Sequence, residues 1–372
     1  MFFAAGIPAQ EIIKGFRFPL LADNRLWLCS ETSDKKNLVR VTAEGAPDVY
    51  NGSDTESFEF GNETEITAAA WLYNKIGDNV RSVKIFTKAN ETWILEGLTP
   101  KNWFKYQLSD KIGCIAPLTM QTTHIGLDQQ QVAIWRGSRG IYLSDGVSIV
   151  PIHRDIRQFF NDREATSINL SQAVNETAFI DHEEMEYHWL FADGANTTMN
   201  RELVFDIIEK KWFEVDRGTG KRLQFGMTVS DASGNTFNYG FIDTGFMERL
   251  ENGNDFDGTS ITFEFRLGDF TLDGMMFETT IRKVKLIMIA KGTTVNKVTV
   301  THQGDTKTTT TIIDAMNPKA AGKRVADVIK SSNLGGHIFH SLNFQMTTNN
   351  ETFGFEPLAV GMFYKTLRED LT

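Results

Sequence analysis

The 372-residue chain has only two cysteines, Cys29 and Cys114, which excludes a disulfide framework. Neither belongs to a paired motif of the zinc or redox kind. Both sit in apolar, strand-like surroundings, RLWLCSE and KIGCIAP, that raise a thiol pKa rather than lower it, so buried, unreactive thiols are expected. No stretch approaches the roughly 18 consecutive apolar residues of a membrane helix, and the opening MFFAAGIPAQEIIKGF lacks the charged-then-apolar order of a signal peptide. A cytosolic product without a membrane span is the expectation. GxGxxG, GxxxxGK[ST] and GxSxG are all absent, which leaves nucleotide chemistry and a serine nucleophile elbow without support. A net charge of −10 counts against a general nucleic-acid binder, because affinity for phosphate comes mainly from clustered Lys and Arg. Helical periodicity is scarce as well: only HRDIRQFFND (153–162) and KAAGKRVADVIKSS (319–332) allow helices.

What is present is β-structure. At 41% hydrophobic and 23% charged the chain has enough apolar mass for well-filled cores. Short runs rich in Val, Ile, Phe, Thr and Trp recur between Gly, Asn and Asp. In IYLSDGVSIVPI, Asp145-Gly146 separates two apolar runs with residues that tolerate the positive φ of a hairpin turn. Ala89-Asn90 and Glu209-Lys210 occupy the same place in VKIFTKANETWILEG and LVFDIIEKKWFEVD. Set side by side, these segments give five units near 16–60, 61–112, 113–165, 166–218 and 219–268, each close to the length of a four-stranded propeller blade. The fold class is therefore all-β: a β-propeller-like domain of about five blades over 16–268, behind an N-terminal arm at 1–15. A two-sheet sandwich is the alternative for the first part.

Charge and composition shift together near residue 269. Residues 1–269 carry a net −13 and all seven tryptophans, whereas residues 270–372 carry +3 and none. The second stretch, with strands in TTIRKVKLIMIA, KVTVTH, HIFHSLNFQM and LAVGMFYKTL, reads as a small β-sandwich-like domain over 269–372.

Five features of the sequence are candidate sites. DHEEMEYH (Asp181 to His188) concentrates Asp181, His182, Glu183, Glu184, Glu186 and His188, but strand spacing spreads these side chains too far for one metal ion, and a hairpin turn on the acidic surface accounts for it. SDASGNTF resembles an Asp-box hairpin with one residue too many between Asp231 and Gly234, and Arg25, Arg136 and Arg222 could supply the arginine triad of a sialidase only if they converge. GNDFDGTSI offers Asp255 and Asp257 to a calcium ion but no further acidic ligand at the expected spacing. His337 and His340, spaced to point to opposite faces of a strand, are core or surface histidines. The two thiols complete the set. No catalytic, cofactor-binding or metal-binding residue is assigned, and no cofactor.

The run RLWLCSE, GAPDVYNG, EITAAAWL, KIFTKANETWILEG, SDKIGCIAP, RGIYLSDG and VSIVPIHRDI, followed by LVFDIIEKKWFEVD, YGFIDTGFMERL and FYKTLRED, resembles in that order the β-propeller tail proteins of bacteriophages, particularly the hub or nozzle of short-tailed phages. The resemblance implies a virion structural protein without enzymatic residues, assembled in the host cytoplasm. It further implies a hexameric ring of copies touching adaptor, portal and neighbouring tail proteins, with transient contact to the ejected DNA. An acidic lumen would repel phosphates and let DNA slide. Two other functions compete: a carbohydrate-binding propeller, which would need exposed aromatic platforms where most tryptophans here lie in apolar strands, and a propeller glycosidase.

Overall fold

The computed structural model describes residues 15–50, 52, 54–76, 79–125, 130–250, 252, 255–256, 259–275, 277–291, 296–305, 308–315, 324–330, 336–348 and 354–367. The expected arm at 1–15 lies outside them except for its last residue. The chain divides into two compact units, residues 1–251 and 252–372.

The first unit is a succession of antiparallel sheets. Blade 1 holds β1 (Phe16–Ala22), β2 (Arg25–Glu31), β3 (Leu38–Val41) and β4 (Glu56–Glu59). Blade 2 holds β5 (Ala68–Ile76), β6 (Asn79–Thr87), β7 (Thr92–Glu96) and β8 (Phe104–Ser109). Blade 3 holds β9 (Gln121–Ile125), β10 (Gln130–Gly137), β11 (Gly140–Ser144) and β12 (Ile149–Pro151). Blade 4 holds β13 (Thr177–Asp181), β14 (Glu186–Phe191), β15 (Arg201–Asp206) and β16 (Lys211–Val215). Blade 5 has three strands, β17 (Leu223–Ser230), β18 (Thr236–Ile242) and β19 (Met247–Arg249). Strands pair in sequence order within each blade, so each is a meander whose turns are local. Turn chemistry follows the residues: Asp145 Oδ1 accepts from the Val147 and Ser148 amides at 2.9 and 2.8 Å while Gly146 takes φ 84°, and Lys210 at φ 56° closes the β15–β16 hairpin. Between blades 3 and 4 the segment Arg154–Phe160 is 3-10 helical, inside the stretch expected to form a helix.

Each seam between successive blades has its own apolar core. Trp27, Phe60 and Phe86 fill the first, Ile85, Cys114 and Trp135 the second, Ile134, Trp189 and Phe205 the third, and Phe179, Leu190 and Leu223 the fourth. Buried polar links accompany them. Lys84 of blade 2 pairs with Asp23 in the β1–β2 turn, and Gln131 of β10 exchanges backbone and amide hydrogen bonds with Asn74 of β5 at 2.7 and 3.0 Å. Arg136 of β10 faces Glu176 ahead of β13 at 3.3 Å. Thr228 of β17 donates to the Ile180 carbonyl at 2.6 Å.

The second unit contains β20 (Asp255–Phe256), β21 (Thr259–Phe270), β22 (Glu278–Lys291), β23 (Asn296–Gly304), β24 (Thr308–Ala315), β25 (Arg324–Lys330), β26 (His340–Thr348) and β27 (Gly354–Leu367). They form a five-stranded sheet, β20-β21-β26-β23-β24, and a three-stranded one, β25-β22-β27. Ile281, Leu286 and Met288 of one sheet share a core with Val298, Leu342 and Phe344 of the other, which is sandwich packing. Two expectations are corrected here. The division falls at 251/252 instead of 268/269, because β21 runs through the expected boundary and pairs along most of its length with β26. The helix expected over 319–332 is strand where it is described: Arg324–Lys330 pairs antiparallel with Ile289 to Lys283 of β22, and that tertiary pairing overrides the local helical propensity of an Ala- and Lys-rich stretch. Among the described residues no helix is long and apolar enough to cross a membrane.

Candidate functional site

In an antiparallel meander the start of the third strand, the end of the fourth and the start of the next blade's first strand all lie at one edge. Blades 4 and 5 use this edge to bring together the beginning of β15, the end of β16 and the beginning of β17. There a cleft of about 220 Å³, counting the space open to solvent, is lined by Asn200, Arg201, Glu202, Asp216, Arg217 and Arg222. Val215 and Leu223 supply its apolar wall.

The floor is a charge cluster built into blade 4. Both Glu202 oxygens are engaged, Oε2 by Arg217 Nε at 2.7 Å and Oε1 by Arg217 Nη2 and His188 Nδ1, each at 2.9 Å. Burial disfavours the Glu202 charge, but Arg217 and His188 outweigh it and hold the carboxyl at about 2. Burial likewise opposes a charge on His188, and Glu186 and Glu202 overcome it to raise the imidazole to about 9. The ring lies flat against Phe179 at 4.4 Å. At the rim, Arg201 donates to Asp193 at 2.7 Å and pairs with Glu214. Asp193 also accepts from Asn200 at 2.7 Å, and despite the opposing effect of burial these donors keep it below the usual carboxylate range. The rotamers of Asn200, Arg201, Glu202 and Arg217 are thus fixed by contacts behind the cleft, as a preorganised polar site requires.

The polar features singled out in the sequence have other fates. Asp181 ends β13, and its Oδ1 caps the amides of Glu183 and Glu184 at 2.8 and 3.1 Å, so DHEEMEYH is a hairpin turn. His188, however, is not on the surface but 3% exposed within the Glu202 cluster. Asp231 caps its own turn through Ser233 and Asn235 at 2.8 and 2.9 Å. Arg25 is spent on Asp54 in blade 1 at 2.8 Å and Arg136 on Glu176 between blades 3 and 4, so they do not converge with Arg222. The arginines that do converge are Arg201, Arg217 and Arg222; their shared strand edge is the signal, and it becomes visible only once blade register is known. Asp255 falls in β20, and Asp257 lies outside the described residues.

His337 and His340 are both buried, and the expectation that they diverge is corrected: their rings lie 5.9 Å apart because His337 sits before β26, in a bridge to Thr279, instead of along the same strand. His302 of β23 joins them, 2.9 Å from Nε2 to His340 Nδ1, and His340 Nε2 meets Thr279 Oγ1 at 2.7 Å. Among the described residues no group of three or more His, Cys, Asp or Glu is placed to hold a metal ion. Cys29 and Cys114 are fully buried, and burial pushes the Cys114 thiol up to about 12. Trp27, Trp135 and Trp189 are core residues whose indole N–H groups are satisfied internally, by the Ala22 and Gly113 carbonyls and by Glu176.

No family model matches the chain, and no curated protein does. Solved structures similar to it include an exo-β-1,3-galactanase from Phanerochaete chrysosporium, with TM-score 0.33 and 10% identity over 93% of this chain and 95% of that one. A β-fructofuranosidase of family GH32 from Bombyx mori matches with TM-score 0.23 and 9% identity over 89% and 77%. A Cry1Da tryptic core from Bacillus thuringiensis matches with TM-score 0.20 and 5% identity over 80% and 51%. The expectations of a tail hub or nozzle and of a chain without enzymatic activity are corrected at this point: the similar structures named are mostly glycoside hydrolases, a likeness that assigns no activity to this chain. The physical reason is that RLWLCSE, TWILEG, RGIYLSDG and KWFEVD are strand-and-turn segments of blades, β2, β7, β11 and β16, whose apolar-strand and polar-turn pattern reports sheet structure and not a role. The chain itself is all-β, its first unit a propeller-like succession of four four-stranded sheets and one of three strands among the described residues.

Proposed function

We propose that the first unit binds carbohydrate, with the cleft between blades 4 and 5 as the saccharide site. The observation that carries this reading is the convergence of rigidly held, planar polar side chains on one small cleft. Asn200, Arg201 and Arg217 are held by Asp193, Glu214 and Glu202, Arg222 offers donors of its own, Asp216 offers an acceptor, and Val215 and Leu223 are apolar. A ligand dense in hydroxyls satisfies such a lining, whereas an apolar ligand would strand the polar groups. Binding at this site does not depend on tryptophan platforms, so the burial of Trp27, Trp135 and Trp189 in the seam cores does not count against it.

Glu202 is unsuited to proton donation, since its two oxygens are engaged and its pKa lies near 2. The test is a glycan array followed by calorimetric titration of the strongest hit, with release of reducing ends monitored in the same samples. Asp216→Ala should weaken binding at least tenfold, whereas Phe104→Ala, on the exposed strand β8 of blade 2, should leave it unchanged. An array without a hit, or equal affinity in the wild type and Asp216→Ala, removes the proposal.

A further inference from the structure

We infer that the saccharide taken by this cleft is acidic, with its carboxylate seated on the Arg222 guanidinium; the inference rests on the carbohydrate reading above. The argument is an accounting of charge partners around the lining. Arg217 is matched by Glu202 through two parallel contacts of 2.7 and 2.9 Å. Arg201 is matched by Asp193 at 2.7 Å and by Glu214. Arg222 has no carboxylate partner among the described residues, and its Nε is buried without a hydrogen-bond acceptor.

Elsewhere in this unit buried arginines face a carboxylate, even though Arg25 Nε and Arg136 Nε and Nη1 also lack a hydrogen-bond acceptor. Arg25 has Asp54 and the Thr42 carbonyl at 2.8 and 3.0 Å, and Arg136 has Glu176 at 3.3 Å. Arg222 departs from that pattern, and it does so in the lining of a cleft. A desolvated donor without an acceptor is costly unless a ligand supplies one.

Chemistry narrows the ligand further. A guanidinium presents its N–H groups in a planar fork that matches the two oxygens of a carboxylate, and the match is weaker for a single hydroxyl. Leu223 beside it lowers the local dielectric and strengthens the pairing. The acidic groups nearby fix the orientation. Asp216 lines the cleft with Oδ1 on the Gly218 amide at 2.9 Å, and Asp243 holds the Gly220 amide at 3.2 Å. Both repel a carboxylate and accept from hydroxyls, so a uronic acid enters with its carboxylate toward Arg222 and its hydroxyl edge toward Asp216 and Asn200.

The experiment is titration calorimetry of the full chain with D-glucuronate, D-glucose and acetate, in the wild type and in Arg222→Gln and Arg222→Lys. The expected result is glucuronate bound at least tenfold more tightly than glucose or acetate. Arg222→Gln should erase that preference, and Arg222→Lys should restore only part of it, because the charge returns without the fork. Equal affinity for glucuronate and glucose in the wild type, or a preference that survives Arg222→Gln, overturns the inference and leaves the carbohydrate reading standing. Acetate binding as tightly as glucuronate overturns it in favour of a free carboxylate ligand. If neither sugar binds, the carbohydrate reading itself falls. Melting curves of both variants serve as the folding control, and Arg222→Lys keeps the test decisive if Arg222→Gln unfolds.

Discussion

Replacing Glu202 by Gln probes whether the floor of the cleft is as tightly coupled as its geometry indicates. The carboxyl is displaced from an ordinary 4.5 to about 2. At about 1.4 kcal/mol per pKa unit that displacement corresponds to roughly 3 kcal/mol of folding stability at neutral pH. The rise of His188 from 6.5 to about 9 reports the same contacts from the other side and is not added to it. Removing one partner of a buried pair costs about 3–5 kcal/mol, because Arg217 and His188 would remain buried without their acceptor. For a unit of this size a loss of about 3 kcal/mol lowers the melting temperature by roughly 6–12 °C.

The pH dependence gives a second readout of the same pairing. Glu202 has a depressed pKa, so its contribution is complete above about 4.5 and disappears as pH falls through 2. His188 has a raised pKa, so its contribution is complete below about 6.5 and is lost as pH climbs through 9. Scanning calorimetry from pH 5 to 9.5 should therefore show the wild type losing stability on the alkaline side, with a shallower decline in Glu202→Gln. A variant melting within about 2 °C of the wild type, or an identical alkaline slope, would refute the coupling.

Other expectations can be checked with standard assays. A Cβ at Gly226 would sit 2.1 Å from Phe179 Cδ1, so Gly226→Ala should lower unfolding free energy by about 1–3 kcal/mol in urea titrations, through displacement of the ring that covers His188. Trp135→Ala should cost about 3–5 kcal/mol by opening the core between blades 2 and 3. Neither thiol should react with Ellman's reagent in the native protein, and both should in guanidinium; reaction in buffer at the rate of a free thiol would contradict the burial of Cys29 and Cys114. Burial, followed by the repulsion of its neighbours His340 and His337, lowers His302 to about 4, so its neutral form belongs to the fold. The stability it supports is complete above about 6.5 and falls as pH drops toward 4, where the unfolded chain binds the extra proton. His302→Leu should flatten that acid limb of the melting profile, and an unchanged limb would argue against it.

Much of the propeller-like unit was legible because its information is local. Segments expected at 16–60, 61–112, 113–165, 166–218 and 219–268 each contain one observed blade, since Asp145-Gly146 and Glu209-Lys210 announce hairpins without reference to the rest of the chain. The second unit was harder to delimit. A charge tally placed its start at 269, but strand pairing, not charge, decides, and Thr259 to Phe270 alternates TFEFRL against β26 from the other end of the unit. Arg324–Lys330 shows the same limit, since its strand state depends on β22, some forty residues away. The cleft was invisible for a related reason. Arg201, Arg217 and Arg222 are unremarkable in RELVFD and DRGTGKR, and their shared edge exists only after β15, β16 and β17 have found their registers. His302 was missed because nothing near it in sequence points to His340, 38 positions later.

The polar links across the seams have a consequence for how the blades can be ordered. To apolar packing alone, similar four-stranded meanders are nearly interchangeable neighbours. Lys84 accepts only a neighbour that presents Asp23, and Arg136 only one that presents Glu176. A blade stacked out of turn would bury a cation with no answering carboxylate, and that cost rejects the shuffled arrangement where the oily surfaces would tolerate it. The ion pairs act as addresses. Recombining these blades into longer or rearranged arrays should succeed only when each pair of partners is transplanted together, even though the two residues belong to different blades.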